Sequence, residues 1–308
     1  MGTVIERMVV TRAGRLHRHS ALQVAVTAAK NCLEHAGREA DDLDLLINAG
    51  LYRDRNLGEP ALAAMIQEDV GAHPENPHPD AHGTFSFDVA NGTCGVLTAL
   101  QIVDGFLRSG TIEHALVVAS DADPGHNLSE GFPFTAAGGA VLCRWIDGEP
   151  GLGHVSWVNT PDGGESFRAT VGQVDTGNVL RITESDMLDE RYADAAVAAL
   201  TECLRRESLR LSDVDSIVAA PARSGFRLAL AERLGIAESR ITVGDDESMH
   251  TAALVAGLDR GRHHRMPAGT RTLVVAAGAG VTAGAALYTE PPVTSSNGSA
   301  SNGVRGHG

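Results

Sequence analysis

The sequence predicts an α/β protein made of two similar halves, and two observations carry this prediction. Short apolar runs alternate along the chain with amphipathic segments of helical length, which is typical of a sheet covered by helices. In addition, residues 25–50 align without a gap with residues 196–221, so that Cys32 matches Cys203 and Asp44 matches Asp215. This offset of 171 residues is too long for a solenoid repeat. We therefore expect two related halves around a pseudo-twofold axis.

The elements of the first half follow from apolar periodicity. Strands are predicted where apolar residues run together, and helices where they recur every three or four positions. In chain order we expect a strand at 4–10, a helix at 21–36, a strand at 43–50, a helix at 59–69, a strand at 84–90, a helix from about residue 93 and a strand at 114–121. The segments 137–145 and 153–159 are predicted to pair as a hairpin that ends this half.

The second half repeats the alternation. In chain order we expect a helix at 185–206, a strand at 214–220, a helix at 226–234, a strand at 240–244, a helix from about residue 250 and strands at 272–278 and 283–288. The run ALVVAS at 115–120 also resembles TLVVAA at 272–277, and this offset of 157 makes Thr93 the counterpart of His250. We place the first half at 1–165 and the second at 166–289. Residues 290–308, rich in Ser, Gly and Asn, are predicted to be a disordered tail.

Composition and charge narrow the possible partners. The chain has 308 residues, is 43% hydrophobic and carries a net charge of −14, which argues against nucleic acid and anionic membranes as main partners. No apolar run is long enough to span a membrane, and Glu6 and Arg7 interrupt the first apolar stretch, so no signal peptide is expected. The four cysteines are widely spaced without a CxxC pair, which predicts reduced thiols in a cytoplasmic protein. No metal site is predicted, because the pair His263-His264 belongs to a basic segment interpreted as a solvated loop.

Two predicted helix starts carry the candidate catalytic residues. The stretch FDVANGTCG puts Thr93 and Cys94 where a helix begins, and a helix N-terminus stabilises negative charge through its free amides and its dipole. Thr93 is interpreted either as a nucleophile or as an ordinary helix cap. Cys94 is interpreted as a buried small residue, since a neighbour along a helix points about 100° away. His250, the counterpart of Thr93, is interpreted either as a catalytic or ligand-contacting group, or as a helix cap or a hydrogen-bonded residue of the core.

The motifs of these regions resemble those of ketoacyl synthase III, the condensing enzymes that start fatty-acid and polyketide chains. The similar features are FDVANGTCG, ALVVASD, FTAAGGAVL, LSDVDSIVAAPA and AGAGVTAGAALY, in the family's order between about residues 21 and 288. The resemblance implies the thiolase fold, in which two pseudo-twofold-related α/β halves form α-β-α-β-α layers. It also implies a homodimer paired through the FDV strand. No resident cofactor is implied, because an acyl thioester of coenzyme A or phosphopantetheine is the substrate.

The resemblance assigns three site positions, and all three differ from the family's Cys-His-Asn set. The family's Cys lies five residues after the Asp of the FDV strand, which is Thr93 here, and its His and Asn correspond to Ala220 and His250. Decarboxylative condensation needs a thiolate and two donors. Ala220 has no donor group, so ordinary condensation is not expected. The backbone N–H groups of Thr93 and Ala279 correspond to oxyanion donors.

Two functions remain open at this point. The first is an acyltransferase of specialised metabolism that takes an acyl group from a carrier-protein or coenzyme A thioester. In it, Thr93 is the nucleophile with His250 as its base, or His250 activates an acceptor alcohol or amine directly. The second is a catalytically silent homologue that forms a heterodimer with an intact ketosynthase or holds an acyl ligand. A segment that resembles the family's docking helix carries Arg223, Arg227 and Arg233, which predicts a basic patch for an acidic carrier protein.

Overall fold

The structure, a computed structural model, describes residues 2–14, 19–72, 83–148, 150–175, 177–262, 266–278 and 280–292. It confirms the predicted α/β class. In chain order the elements are β1 (Gly2–Arg12), α1 (Ala21–Ala36), β2 (Leu45–Asn48), α2 (Leu62–Val70), β3 (Phe85–Asp88), α3 (Gly95–Ser109), β4 (His114–Asp121), β5 (Ser129–Glu130), β6 (Ala137–Ile146), β7 (Gly151–Leu152) and β8 (Ser156–Asn159). They continue with β9 (Phe167–Val174), β10 (Gly177–Glu184), α4 (Leu188–Arg206), β11 (Ser216–Ala220), α5 (Ser224–Leu234), β12 (Ile241–Thr242), α6 (Ala253–Arg262), β13 (Arg271–Gly278) and β14 (Thr282–Thr289).

One large sheet runs through the molecule, and its two sides show the same succession of strand pairings. The strand order is β12-β11-β13-β14-β7-β1-β6-β4-β2-β3, with β8 beside β14. On one side, β1, β6 and β4 are antiparallel neighbours, and β4, β2 and β3 are parallel neighbours. On the other side, β8, β14 and β13 are antiparallel, and β13, β11 and β12 are parallel. This equal succession of pairings is what two pseudo-twofold-related halves predict.

The residues aligned by the internal repeat hold equivalent places. Cys32 in α1 and Cys203 in α4 are both buried. Asp44 and Asp215 precede β2 and β11, and Oδ2 of each accepts a backbone N–H at the start of the next strand of the sheet. The N···O distance is 3.0 Å at β4 and 2.8 Å at β13. The gapless alignment of the sequence is therefore a structural repeat.

The helices form layers around and between the strands. Leu46 joins the core formed with α1 and α2, whereas its neighbours Leu45 and Ile47 join the core around α3 and α6. Because successive side chains of a strand point to opposite faces, α1 and α2 cover the outer face of the first half and α3 covers its inner face. The helices α3 and α6 contact each other, while α4 and α5 pack together and α4 lies against β13 and β14. These contacts give the expected α-β-α-β-α layers.

One expectation for the middle of the chain is wrong, and one element there was not expected. The segments 137–145 and 153–159 do not form a hairpin, because β6 lies between β1 and β4 whereas β8 pairs with β14. Leu152 of β7 lies opposite both Thr3 and Tyr288, so β7 carries the chain from one half to the other. The hairpin of β9 and β10 was not predicted. Most of its side chains are exposed, so its sequence lacks the alternation of a half-buried strand.

The remaining expectations concern the ends of elements and the tail. The helix expected from about residue 250 begins at Ala253, and His250 lies in the turn before it. The disordered tail predicted for 290–308 lies outside the described residues from 293 onward. Within the described ranges, no helix combines the length and the apolar character needed to cross a membrane.

Candidate active site

The turn before α3 places Thr93 at the start of a buried helix. β3 ends at Asp88, whose carboxylate accepts the backbone N–H groups of Leu62 and Ala63 at 2.8 and 2.7 Å and so holds the start of α2. Five residues later, Thr93 lies in the single 3-10 turn Gly92–Cys94, which leads directly into α3. The first N–H groups of a helix have no partner within it. The turn can therefore present donors to a developing negative charge.

Thr93 and Cys94 point to different surroundings, as the sequence predicts. Cys94 is fully buried, and its Sγ lies 3.5 Å from the carbonyl oxygens of Ala276 and Thr282. Burial raises the pKa of the Cys94 thiol to about 12. Such a thiol is not ionised at neutral pH and is not a nucleophile. Thr93 instead lines a pocket, while its hydroxyl donates a hydrogen bond to the carbonyl oxygen of Ala277 in β13.

The imidazole of His250 is paired with a buried carboxylate. His250 Nδ1 lies 3.2 Å from Oδ2 of Asp121, the last residue of β4. A carboxylate at this nitrogen favours the tautomer with the proton on Nδ1, which leaves Nε2 as an acceptor. Nε2 faces the turn before α3, since a methyl group at Gly92 would lie 3.7 Å from it. The arrangement is that of a general base oriented by a carboxylate.

Asp121 is held in its charged form by a dense set of donors. It is 2% exposed, and its Oδ1 accepts the backbone N–H groups of Leu51 and Tyr52 at 3.2 and 2.8 Å. Its Oδ2 accepts the N–H and the hydroxyl of Thr251 at 2.8 and 2.5 Å. Burial alone would raise the pKa of Asp121, but His250 and these hydrogen bonds outweigh burial and lower that pKa.

Aromatic rings enclose His250. The Phe134 ring lies nearly parallel to the imidazole with 4.3 Å between centroids, and Phe167 and Tyr52 lie at 6.4 and 5.2 Å. A pocket that opens to solvent lies beside these rings. Its lining residues are Thr93, Phe134, Phe167, Glu184, Leu188, Tyr192, Pro221, Arg223, Glu247, Met249 and His250.

The pocket is lined by both Thr93 and His250, the two residues that the repeat relates to each other. Thr93 packs at the end of β13, where a methyl group at Gly278 would lie 2.9 Å from its Oγ1. His250 packs in the same way at the end of β4, against Asp121, and the offset of 157 pairs Asp121 with Gly278. Both side chains reach the same pocket, but no hydrogen bond joins them in the described part of the chain.

Asp121 is not among the site residues predicted from the sequence. The signal was present, because Asp121 ends the strand HALVVASD, and sites in α/β sheets form where strands end. Of the other predicted positions, Ala220 is buried at the end of β11 and has no donor to offer. Ala279, expected to supply an oxyanion N–H, lies outside the described residues.

The three arginines of the predicted docking segment all form ion pairs within this chain. Arg223 donates to Asp189 at 2.5 Å and to Glu184 at 2.9 Å. Arg227 donates to Glu238 at 2.6 Å, while Arg233 donates to Asp194 at 2.5 Å and to Glu190 at 2.6 Å. The structure thus groups these arginines at α5, and neighbouring carboxylates offset part of their charge.

Comparison with known proteins assigns the chain to a family. The family model described as 3-oxoacyl-[acyl-carrier-protein (ACP)] synthase III C terminal matches residues 204–289. The beta-ketoacyl-[acyl-carrier-protein] synthase III of Salmonella typhimurium is 30% identical over 300 residues, which cover 92% of this chain and 90% of that protein. The chain belongs to the beta-ketoacyl-[acyl-carrier-protein] synthase III family. Another member, from Koribacter versatilis, is 26% identical over 310 residues, with 91% and 88% of the two chains covered. The resemblance expected from the motifs is confirmed.

Solved structures of ketoacyl synthase III proteins and their relatives share the fold. The 3-oxoacyl-[acyl-carrier-protein] synthase III of Aquifex aeolicus superposes with a TM-score of 0.76 at 20% identity, over 94% of this chain and 100% of that one. Xanthomonas campestris OleA, solved with bound lauric acid and lauroyl-CoA, gives a TM-score of 0.77 at 15% identity, over 94% and 99%. At these identities the likeness concerns the fold, and it confirms the expected thiolase architecture.

Proposed function

We propose that this ketoacyl synthase III homologue is an acyltransferase of specialised metabolism that moves an acyl group from a thioester to an acceptor without decarboxylative condensation. The observation that carries the proposal is the buried pair of His250 and Asp121, which leaves Nε2 of the imidazole facing the turn before α3. Condensation is not supported, because Ala220 cannot donate and the only nearby thiol, among the described residues, is the buried Cys94.

The reaction needs only the chain and its two substrates. The proton of an acceptor alcohol or amine passes to His250 Nε2 as its oxygen or nitrogen attacks the thioester carbonyl carbon. The new bond converts the carbonyl oxygen into an oxyanion, to which the backbone N–H of Thr93 donates in this proposal, and Asp121 stabilises the imidazolium. When the C–S bond breaks, the leaving thiolate takes the proton from the imidazolium. The products are the acylated acceptor and a free thiol.

Direct attack by the acceptor is favoured over an ester on Thr93. A hydroxyl nucleophile needs a hydrogen bond to its base, and the Thr93 hydroxyl donates instead to the carbonyl of Ala277. His250 Nε2 is then left for the acceptor. The first test is to incubate the protein with acyl-coenzyme A and a panel of alcohols and amines, and to detect the acylated acceptor by mass spectrometry.

Thr93→Ala separates the two routes. The backbone N–H remains in this variant, so direct attack predicts a loss of less than about tenfold in the rate of acyl transfer. Intact-protein mass after incubation with the thioester should show no acyl adduct in the wild type. Thr201→Ala, at an exposed position of α4, is the matched control. An adduct mapped to Thr93, together with a loss of two orders of magnitude or more in Thr93→Ala, would establish the covalent route instead.

The donor is proposed to be a thioester of an acyl carrier protein or of coenzyme A. The names of the relatives support a carrier protein, and the arginines at α5 offer it a surface. Neutralising Arg227 and Arg233 to Gln should raise KM for a carrier-bound donor several-fold and reduce its salt dependence, because rim charges act mainly on encounter. KM for acyl-coenzyme A should stay unchanged.

The matched control for this docking test is Arg205→Gln, which breaks an exposed pair with Glu202 on α4. An equal change in KM for both donors, or an equal effect of Arg205→Gln, would exclude the α5 arginines as a docking surface. The homodimer implied by the family also remains a proposal. It is supported by the position of β3 at the edge of the sheet, where Phe85 is 58% exposed.

A further inference from the structure

The pocket at His250 contains a phenol that the protein itself does not use. Tyr192 lies near the start of α4, four residues after Leu188, so the two side chains share one helix face and both line the pocket. Tyr192 is 4% exposed, its hydroxyl forms no hydrogen bond with the described residues, and the hydroxyl oxygen is open to the solvent of the pocket. A ligand that enters the pocket can therefore replace water at this hydroxyl and accept its hydrogen bond.

Other donors of the pocket are already engaged. The Thr93 hydroxyl donates to Ala277, and the Arg223 guanidinium donates to Asp189 and Glu184. The phenol of Tyr192 remains as a side-chain donor for a substrate. Burial raises the pKa of Tyr192, so the phenol keeps its proton throughout the neutral range.

Packing at the equivalent positions of the two halves does not explain why Tyr192 carries a hydroxyl group. The offset of 171 places Tyr192 opposite Ala21 at the start of α1, and Ala21 is also fully buried. The first half thus closes the equivalent position with a methyl group. An aromatic ring fills the larger space in the second half, but Phe would fill it without placing a hydroxyl in the pocket.

The acyl site lacks a side-chain hydrogen-bond donor, and the Tyr192 hydroxyl is such a donor. Ala220, at the position of the family's His, has no polar side chain, and the next residue, Pro221, lines the same pocket as Tyr192 and Thr93. The backbone N–H of Thr93 gives an oxyanion no side-chain donor on the side of β11 and α4. The pocket brings Tyr192 to that side.

We propose that Tyr192 is the side-chain donor of the oxyanion site. Its hydroxyl donates a hydrogen bond to the thioester carbonyl oxygen, and this bond strengthens as the oxygen becomes negative during attack. No proton is transferred, since the phenol keeps its hydrogen before and after the step. This inference rests on the proposed acyl transfer and names a catalytic residue for it.

Tyr192→Phe tests the proposal because it removes one oxygen atom and keeps the ring. We expect kcat for acyl transfer to fall about 100-fold, the scale of losing one oxyanion donor. KM for the thioester should change by no more than about twofold, because the bond matters most in the transition state. The melting temperature should stay about the same, since the hydroxyl forms no hydrogen bond with the described residues and faces solvent in the free protein.

Tyr288→Phe is the matched control with the opposite expectation. The Tyr288 hydroxyl accepts the N–H of Ile5 at 3.1 Å and of Arg262 at 2.9 Å, and Tyr288 does not line the pocket. Its loss should lower the melting temperature by about 2–4 °C and leave kcat unchanged. The two substitutions are chemically identical, so the contrast isolates the role of the site.

Three outcomes would overturn the role of Tyr192. The first is a wild-type kcat in Tyr192→Phe, and the second is a raised KM with an unchanged kcat. The third is a fall in melting temperature as large as that of Tyr288→Phe, which would make the hydroxyl structural. In each case, continued transfer by the wild type and its loss in His250→Gln would leave the proposed acyl transfer standing. Absence of transfer in the wild type would overturn both proposals.

Discussion

Replacing His250 by Gln is expected to lower the rate of acyl transfer about 100-fold or more, the scale of losing a general base. The amide can still donate to Asp121, but it cannot take a proton from the acceptor. Among the described residues, the side chain of His250 forms a hydrogen bond only with Asp121, so the variant should keep its fold. The measurement is the initial rate of acceptor acylation, alongside a circular dichroism spectrum that checks the fold.

The matched control is His35→Gln, at an exposed position in the last turn of α1. It should transfer acyl groups at the wild-type rate. A rate above one-tenth of wild type in His250→Gln would show that the imidazole is not the base. If the wild type transfers no acyl group to any acceptor and still binds an acyl thioester, the catalytically silent homologue becomes the better account of the chain.

Most of the fold could be predicted from the sequence because the apolar pattern of each strand and helix lies within a short segment, and the repeat is visible when two such segments are aligned. Around Leu46 and Ile47, the apolar pattern of the sequence agrees with the burial of the side chains in the structure. The repeat then relates this strand to its counterpart in the second half. The spacing from Asp88 also placed Thr93 in the pocket and Cys94 in the interior. A helix turns by about 100° per residue, so a single correct register separated the two side chains.

The rest of the site depends on contacts between residues far apart in the chain. Asp121 and His250 are 129 positions apart, and the end of β4 meets the turn before α6 only when the two halves pack together. In the sequence, Tyr192 has the pattern of an ordinary core aromatic residue of a helix. That its hydroxyl forms no hydrogen bond with the described residues is visible only in three dimensions. The same limit applies to Arg233, whose partners Glu190 and Asp194 lie on α4.

The largest expected effect on stability comes from Asp121→Asn. Asp121 is a nearly fully buried carboxylate that accepts five hydrogen bonds, from Leu51, Tyr52, Thr251 and His250. An amide in its place must turn an NH₂ group toward some of these donors. We expect the free energy of unfolding to fall by about 3–5 kcal/mol, as is typical when one member of a buried pair is removed. Urea unfolding at pH 7 measures this loss, with the exposed Asp147→Asn as control.

The dependence on pH shows whether the Asp121 charge is responsible for this stability. The pKa of Asp121 is lowered in the folded chain, while in the unfolded chain it lies near its usual value of about 3.9. The carboxylate therefore contributes its full stability above about pH 4, and that contribution is lost as the pH falls through the lower folded value. The difference in unfolding free energy between the wild type and Asp121→Asn should accordingly shrink between pH 4 and pH 3. Asp147→Asn should stay within about 0.5 kcal/mol of the wild type throughout. A difference that is equally large at pH 7 and pH 3 would mean that the shape of the hydrogen-bonding group, and not its charge, holds His250 in place.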